Sequence, residues 1–141
     1  MFIQQISVFI ENRHGSLTDF TQILGENGVD LIALSIADTT NFGILRAIVS
    51  DNEKTLKVVR DKGYTANLTE VLAVAVPDVP GGLAGVLQLL RDNDISVEYL
   101  YSFVRRVGND AIIIFRVDQP ERAGNLLRDK GVRLLEQNEI A

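Results

Sequence analysis

Two short segments carry side chains whose type and spacing suit ligand chemistry. One reads Glu11-Asn12-Arg13-His14-Gly15-Ser16-Leu17, the other Pro77-Asp78-Val79-Pro80-Gly81-Gly82-Leu83. Each sets a short polar side chain before a glycine, and the glycine before a helical apolar pattern. A glycine there admits positive φ and lets a small molecule approach the main chain. The helix start beyond it offers unpaired N–H groups and a partial positive charge. A carboxylate at such a place gains on the order of 0.3–2 kcal/mol. Asn12 or Asp78 can then meet an ammonium group, so one loop can recognise both ends of an amino acid. The same residues also have a purely structural reading. Asn12 and Asp78 would brace the turn, Ser16 would cap the helix, and Gly15, Pro80, Gly81 and Gly82 would be ordinary turn formers.

Other chemistry is poorly provided for. The chain has no Cys and a single His, His14. Thiolate metal sites and disulfides are therefore excluded, and a zinc site lacks ligands. His14 has no fixed carboxylate partner in its motif, and no phosphate loop of the Walker type is present. A phosphatase-like hydrolase on this scaffold would need an anion-binding arginine; Arg13 is the loop candidate, and Val79 replaces it in the other segment. The expectation is a protein without catalytic activity, cofactor or metal. The net charge of −5 argues against a phosphate-backbone partner. Arg105-Arg106 reads as a solvated hairpin end. No apolar run is long enough to span a bilayer, and Met1 to Glu11 alternates like a strand rather than a signal peptide. Residence in the cytoplasm is the default expectation.

The elements that must position these segments come from a duplication. Arg60-Asp61-Lys62-Gly63 recurs as Arg128-Asp129-Lys130-Gly131, an offset of 68 residues. At an offset of 66, Gly15 matches Gly81, Leu17 matches Leu83, Gln22 matches Gln88, Leu24 matches Leu90, Asn27 matches Asn93 and Leu34 matches Leu100. The change of offset puts a two-residue insertion between Asp38 and Asp110, where Thr39-Thr40-Asn41 and Gly108-Asn109-Asp110 read as hairpin tips.

Each half reads strand, helix, strand, strand, helix, strand. Ile6, Val8 and Ile10 alternate with Gln5, Ser7 and Phe9; Leu72, Val74 and Val76 alternate with Val71, Ala73 and Ala75. Leu17, Phe20, Ile23 and Leu24 predict one apolar helix face, and Leu83, Val86, Leu87 and Leu90 its copy. Gly28 and Asp92-Asn93-Asp94 end these helices. Hairpins follow, Leu31 to Asp38 with Gly43 to Val49, and Val97 to Val104 with Ala111 to Val117. Leu56 and Val59, then Ala123, Leu126 and Leu127, mark the second helices, with Gly63 and Gly131 as left-handed C-caps. Short last strands fall around Tyr64 to Asn67 and Val132 to Leu135.

This βαββαβ order predicts an α+β architecture: two tandem ferredoxin-like domains, residues 1–69 and 70–141, each an antiparallel four-stranded sheet with its helices on one face. A single core of roughly 65–70 residues rarely supplies more than about 3–5 kcal/mol. Strands apolar on both faces call for cover by another module or chain; Leu34, Ile36, Leu100 and Val104 lie opposite Ala33, Ala37, Tyr99 and Phe103.

In Asp78-Val79-Pro80-Gly81-Gly82-Leu83, and more loosely in Asn12-Arg13-His14-Gly15-Ser16-Leu17, the chain resembles the ACT domain, a regulatory module that binds small molecules, mostly amino acids. Asn27-Gly28-Val29-Asp30-Leu31 and Asn93-Asp94-Ile95-Ser96-Val97 are similar to that family's turn from helix to second strand. The resemblance covers the whole chain as two copies. It implies amino-acid binding at domain interfaces, the carboxylate lying against loop N–H groups. The loop residues carried over are Asn12, Arg13, His14, Gly15, Ser16 and Leu17, with Asp78, Val79, Pro80, Gly81, Gly82 and Leu83. Second-strand candidates are Leu34, Ser35, Tyr99, Leu100 and Tyr101. His14 departs from the family pattern, which often has Pro there. Expected partners are a small amino-acid effector, an enzyme of amino-acid metabolism and a second copy of the chain, with neither nucleic acid nor membrane. Two alternatives stand beside this: a dimerisation module without ligand, and an RNA-binding ferredoxin-like protein, for which the first strands offer only Phe9.

Overall fold

A computed structural model describes residues 1–38, 41–103 and 108–140. The hairpin-tip residues Thr39 and Thr40, and Val104, Arg105 and Arg106, lie outside the described residues. Contacts divide the chain into two compact units, Gln4–Thr69 and a second of Met1–Ile3 with Glu70–Ile140.

The first unit contains β1 (Ile3–Glu11) from Gln4 onward, α1 (Ser16–Glu26), β2 (Leu31–Asp38), β3 (Phe42–Val49), α2 (Asn52–Asp61) and the start of β4 (Ala66–Pro77). The second continues with the rest of β4, α3 (Gly82–Asp92), β5 (Val97–Ser102), β6 (Asp110–Val117), α4 (Pro120–Asp129), β7 (Leu134–Leu135) and α5 (Gln137–Ile140). In the first unit β1 pairs antiparallel with β3, and β3 with β2. In the second, β4 pairs with β6 and β7, and β6 with β5. Both show the strand and helix order of tandem ferredoxin-like modules, an α+β fold with antiparallel sheets.

Apolar alternation builds each core. Ile6, Val8 and Ile10 on β1 face Phe20 and Leu24 of α1, Val59 of α2, and Leu45, Ala47 and Val49 of β3. The equivalent cluster joins Leu72, Val74 and Val76 to Val86, Leu90, Phe115, Val117 and Leu127. Helices stop where predicted. Gly28, Gly63 and Gly131 have positive φ, and so does Asp94, at 57°. Asp51 caps α2, its side chain accepting from the Lys54 amide at 3.1 Å.

Three details depart from the sequence reading. The last strand of the first copy and the first strand of the second form one twelve-residue strand. No glycine or proline stands between Asn67 and Val71 to break it, and Val71 to Val76 are all buried. The final strand shrinks to Leu134–Leu135, followed by the single-turn α5. Leu17, expected in the helix face, is exposed, because it sits at the mouth of the loop rather than over the sheet.

Charge organises the end of the second unit. Glu136 accepts from the Met1 ammonium and from Arg128, both at 2.8 Å. Glu139 accepts from the Glu136 amide at 2.9 Å and from Arg133 at 2.6 Å. The hydrogen bond from the terminal ammonium holds the Glu136 carboxyl below its usual range; the Glu136 amide, then Arg133, do so for Glu139.

Two outcomes are expected. Phe20 is fully buried and meets Tyr64 edge-on with ring centroids 5.5 Å apart. Phe20→Ala should cost about 3–5 kcal/mol in urea unfolding. Because both glutamates titrate lower when folded, their contribution is complete above the unfolded carboxylate value of about 4.3 and vanishes as pH falls through the folded value. A melting-temperature profile against pH should therefore fall in the acid range, and Glu136→Gln should flatten that fall.

Candidate functional site

Both loops fold by the same hydrogen bonds. In the first, the Arg13 amide donates to Glu11 O at 3.0 Å and the Ser16 amide to Arg13 O at 3.2 Å. Gly15, at φ 84°, takes the N-cap of α1 with no side chain capping it. The helix ladder then begins with the Asp19 amide on Gly15 O at 2.9 Å. In the second, Val79 donates to Pro77 O at 2.9 Å and Gly82 to Val79 O at 3.0 Å. Gly81, at φ 85°, caps α3, and Gly85 donates to Gly81 O at 3.0 Å. The cap is thus Gly15; Ser16, read above as one possible cap, is the first helical residue.

This arrangement leaves the amides of Leu17 and Thr18, and those of Leu83 and Ala84, without an acceptor among the described residues. A left-handed glycine has no side-chain oxygen to offer them, unlike Ser or Asp at the same place. Two bare N–H groups at a helix start form a ready seat for a carboxylate.

Two cavities adjoin the first loop. The smaller, about 180 Å³, is lined by Ile10, Glu11, Asn12, Arg13, Ser16, Leu17, Ile36 and Gly43. The larger, about 430 Å³, shares Ile10, Glu11, Arg13 and Ser16 and adds Phe9, Asp19, Ile23, Phe42 and the turn Lys62 to Thr65. Asn12 and Leu17 thus line the smaller space, Arg13 and Ser16 both, and His14 and Gly15 neither. A Cβ on Gly15 would meet open space. Leu34 and Ser35 are half-buried, opposite Ala47 and Arg46 on β3, and line neither space. Ile36, one residue on, is the β2 contribution to the smaller space.

In the second loop Asp78, Val79, Pro80 and Gly81 are exposed and Gly82 and Leu83 half-buried. On β5, Tyr99 is half-buried, Leu100 exposed and Tyr101 buried. Gly82 differs from its copy, Ser16. A Cβ there would collide with the Pro77 carbonyl oxygen. Among the described residues no group of His, Cys, Asp and Glu is placed to hold a metal ion, and no helix is long and apolar enough to cross a membrane.

Sequence reasoning passed over Asp19, Phe42, Lys62 and Tyr64. Phe42 opens a strand, and its exposure follows from pairing with Glu11 on the outer face. The turn carrying Lys62 and Tyr64 lies far from the loop in sequence and carries no local signal. Burial raises the Tyr64 phenol pKa; the nearby Asp19 carboxylate adds to this and Arg13 opposes it.

The glycines separate strain from crowding. Gly15→Ala should lose about 1–2 kcal/mol, the left-handed penalty alone. Gly82→Ala, with ordinary φ but a blocked Cβ, should lose about 1–3 kcal/mol through backbone displacement. Chemical denaturation of both variants measures this, with the amide shifts of Val76 and Asp78, which flank Pro77, moving only for Gly82→Ala.

A family model described as ACT domain pair matches residues 1–141. Among solved structures, a protein from Bacteroides thetaiotaomicron is 39% identical, with a TM-score of 0.89, over 96% of this chain and 92% of that one. The ligand-free regulatory subunit of aspartate kinase from Thermus thermophilus is 16% identical, with a TM-score of 0.62, over 89% of this chain and 91% of its own. Its counterpart from Thermus flavus is 14% identical, with a TM-score of 0.61, over 89% and 90%. These two share the fold. No curated protein matches the chain.

Proposed function

This chain belongs to the ACT domain pair family, and on that footing we propose that it is an amino-acid sensor whose first loop holds the effector. ACT domains are regulatory modules, and the site described here is built for binding rather than reaction. The observation that carries the reading is the pair of bare amides at Leu17 and Thr18, behind a left-handed Gly15 and beside a cavity of about 180 Å³. The carboxylate sits on the amides, and Asn12 at the cavity wall receives the ammonium. Asp78 and the amides of Leu83 and Ala84 offer the same pattern in the second loop, a second seat of like chemistry.

Leu17 and Ile36 are exposed apolar residues on the wall of that cavity. A second copy of the chain covers them and closes the site, so the working form is a homodimer. Effector binding then biases the conformation of a partner enzyme by about 1–3 kcal/mol, the usual size of allosteric coupling. The fold shared with the Thermus aspartate kinase regulatory subunits supports a partner in amino-acid metabolism.

A thermal-shift screen with the standard amino acids tests this. At a hundredfold excess over Kd, a true effector should stabilise the chain by about 2.7 kcal/mol, a rise of several degrees. Asn12→Ala should reduce that rise, and Gly15→Val, which strains the left-handed turn that presents the amides, should abolish it. If no amino acid shifts the melt, or if Gly15→Val responds as the parent does, the loop is not the effector site.

A further inference from the structure

The larger cavity has a composition that the fold does not require. It lies on the β4 side of the loop, where the turn from α2 to β4 faces the end of β1. Phe9 donates its amide to Thr65 O at 3.0 Å, the last such link along this edge. Strand alternation turns the Glu11 amide to the same side, beyond the point where β4 begins. Asn12 returns to β3, donating to Asn41 O at 2.9 Å, so the Glu11 amide has no sheet partner.

Around this opening stand three aromatic rings, Phe9, Phe42 and Tyr64. Phe9 and Phe42 are 50% and 53% exposed, which leaves apolar ring area in water. One acid and one base face the same space without ion partners among the described residues, Asp19 and Lys62. Arg13 is engaged with Glu11 at 3.1 Å.

The duplication supplies an internal control. At the equivalent positions of the second copy, Phe9 becomes Ala75, Asp19 becomes Gly85, Phe42 becomes Asp110 and Tyr64 becomes Val132; of the charged pair only Lys62 survives, as Lys130. The second unit forms the same strands, helices and loop hydrogen bonds without them. Tyr64 also packs against Phe20 of the core, but Phe9, Phe42 and Asp19, gathered around the same opening and replaced in the second unit, are explained by something they bind.

We propose that this cleft is an effector site separate from both loops, one that takes an amino acid with an aromatic side chain: its ammonium at Asp19, its carboxylate at Lys62 and the Glu11 amide, its ring among Phe9, Phe42 and Tyr64. The opposite charges match a zwitterion, and aromatic walls suit a ring in stacked or edge-on contact. A volume of about 430 Å³ admits such a molecule, whereas the space of about 180 Å³ beside Asn12 suits a small one. The proposal goes beyond the loop site and does not depend on it.

Amide chemical-shift titration of the full chain with phenylalanine, and with serine as the small polar control, tests it. Phenylalanine at millimolar concentration should move the amides of Lys62, Gly63, Tyr64, Thr65 and Glu11 saturably, and serine should not. Lys62→Glu and Asp19→Asn alter exposed side chains and leave the core intact; each should weaken phenylalanine binding about tenfold or more. Phe42→Ser should do the same without moving the melting temperature. Unmoved amides at 62–65, or variants that bind as the parent does, overturn the proposal. The loop site has separate reporters in Leu17, Ile36 and Gly43. A response there to another amino acid, with 62–65 still, sinks the cleft and leaves the loop; the converse sinks the loop and leaves the cleft.

Discussion

The structure turns on a glycine that can take positive φ immediately before a helix. At φ 84° and 85°, Gly15 and Gly81 bring the chain out of a strand and into α1 and α3 without lending a side-chain oxygen to the first turn. A serine or aspartate cap would satisfy those N–H groups and stabilise the helix. The glycine forgoes that and leaves the donors open to a molecule from solution. What is lost in intrinsic helix stability is recovered beneath, where Phe20, Leu24, Val86 and Leu90 bury the helix faces against the sheets.

Much of this was readable in the sequence because its signals are local or periodic. The offset of 66 between α1 and α3, and of 68 between α2 and α4, emerges in the element bounds as it does in the residue matches. Alternation placed Ile6, Val8 and Ile10, and the positive φ of Gly63 and Gly131 followed from their position after a helical run. The failures are equally physical. Two apolar stretches with no breaker between them merged into β4, since pattern alone marks where strands are but not where one must stop. Leu17 has helical spacing yet sits too near the loop's mouth to reach the sheet.

The candidate site divides along the same line. Asn12, Gly15 and Ser16 lie in one contiguous motif and could be singled out by type. Lys62 and Tyr64 meet Arg13 and Ser16 only because β4 starts beside the end of β1, a fact of sheet order rather than of spacing. Ile36, not Leu34 or Ser35, lines the smaller space because strand register, fixed by Ile36 opposite Leu45, decides which neighbour points that way. A sequence names the residues able to do chemistry; pairing register decides which of them meet.

The two loops also differ in how freely they can drift. Position 82 lies against the Pro77 carbonyl and admits no side chain at all, while its counterpart, Ser16, already carries one. Descendants of this gene can therefore try new residues at position 16, altering what the first turn greets. The second is confined to glycine. Divergence of ligand preference within such a duplicated protein is thereby channelled into one half, the other being held to a single backbone shape.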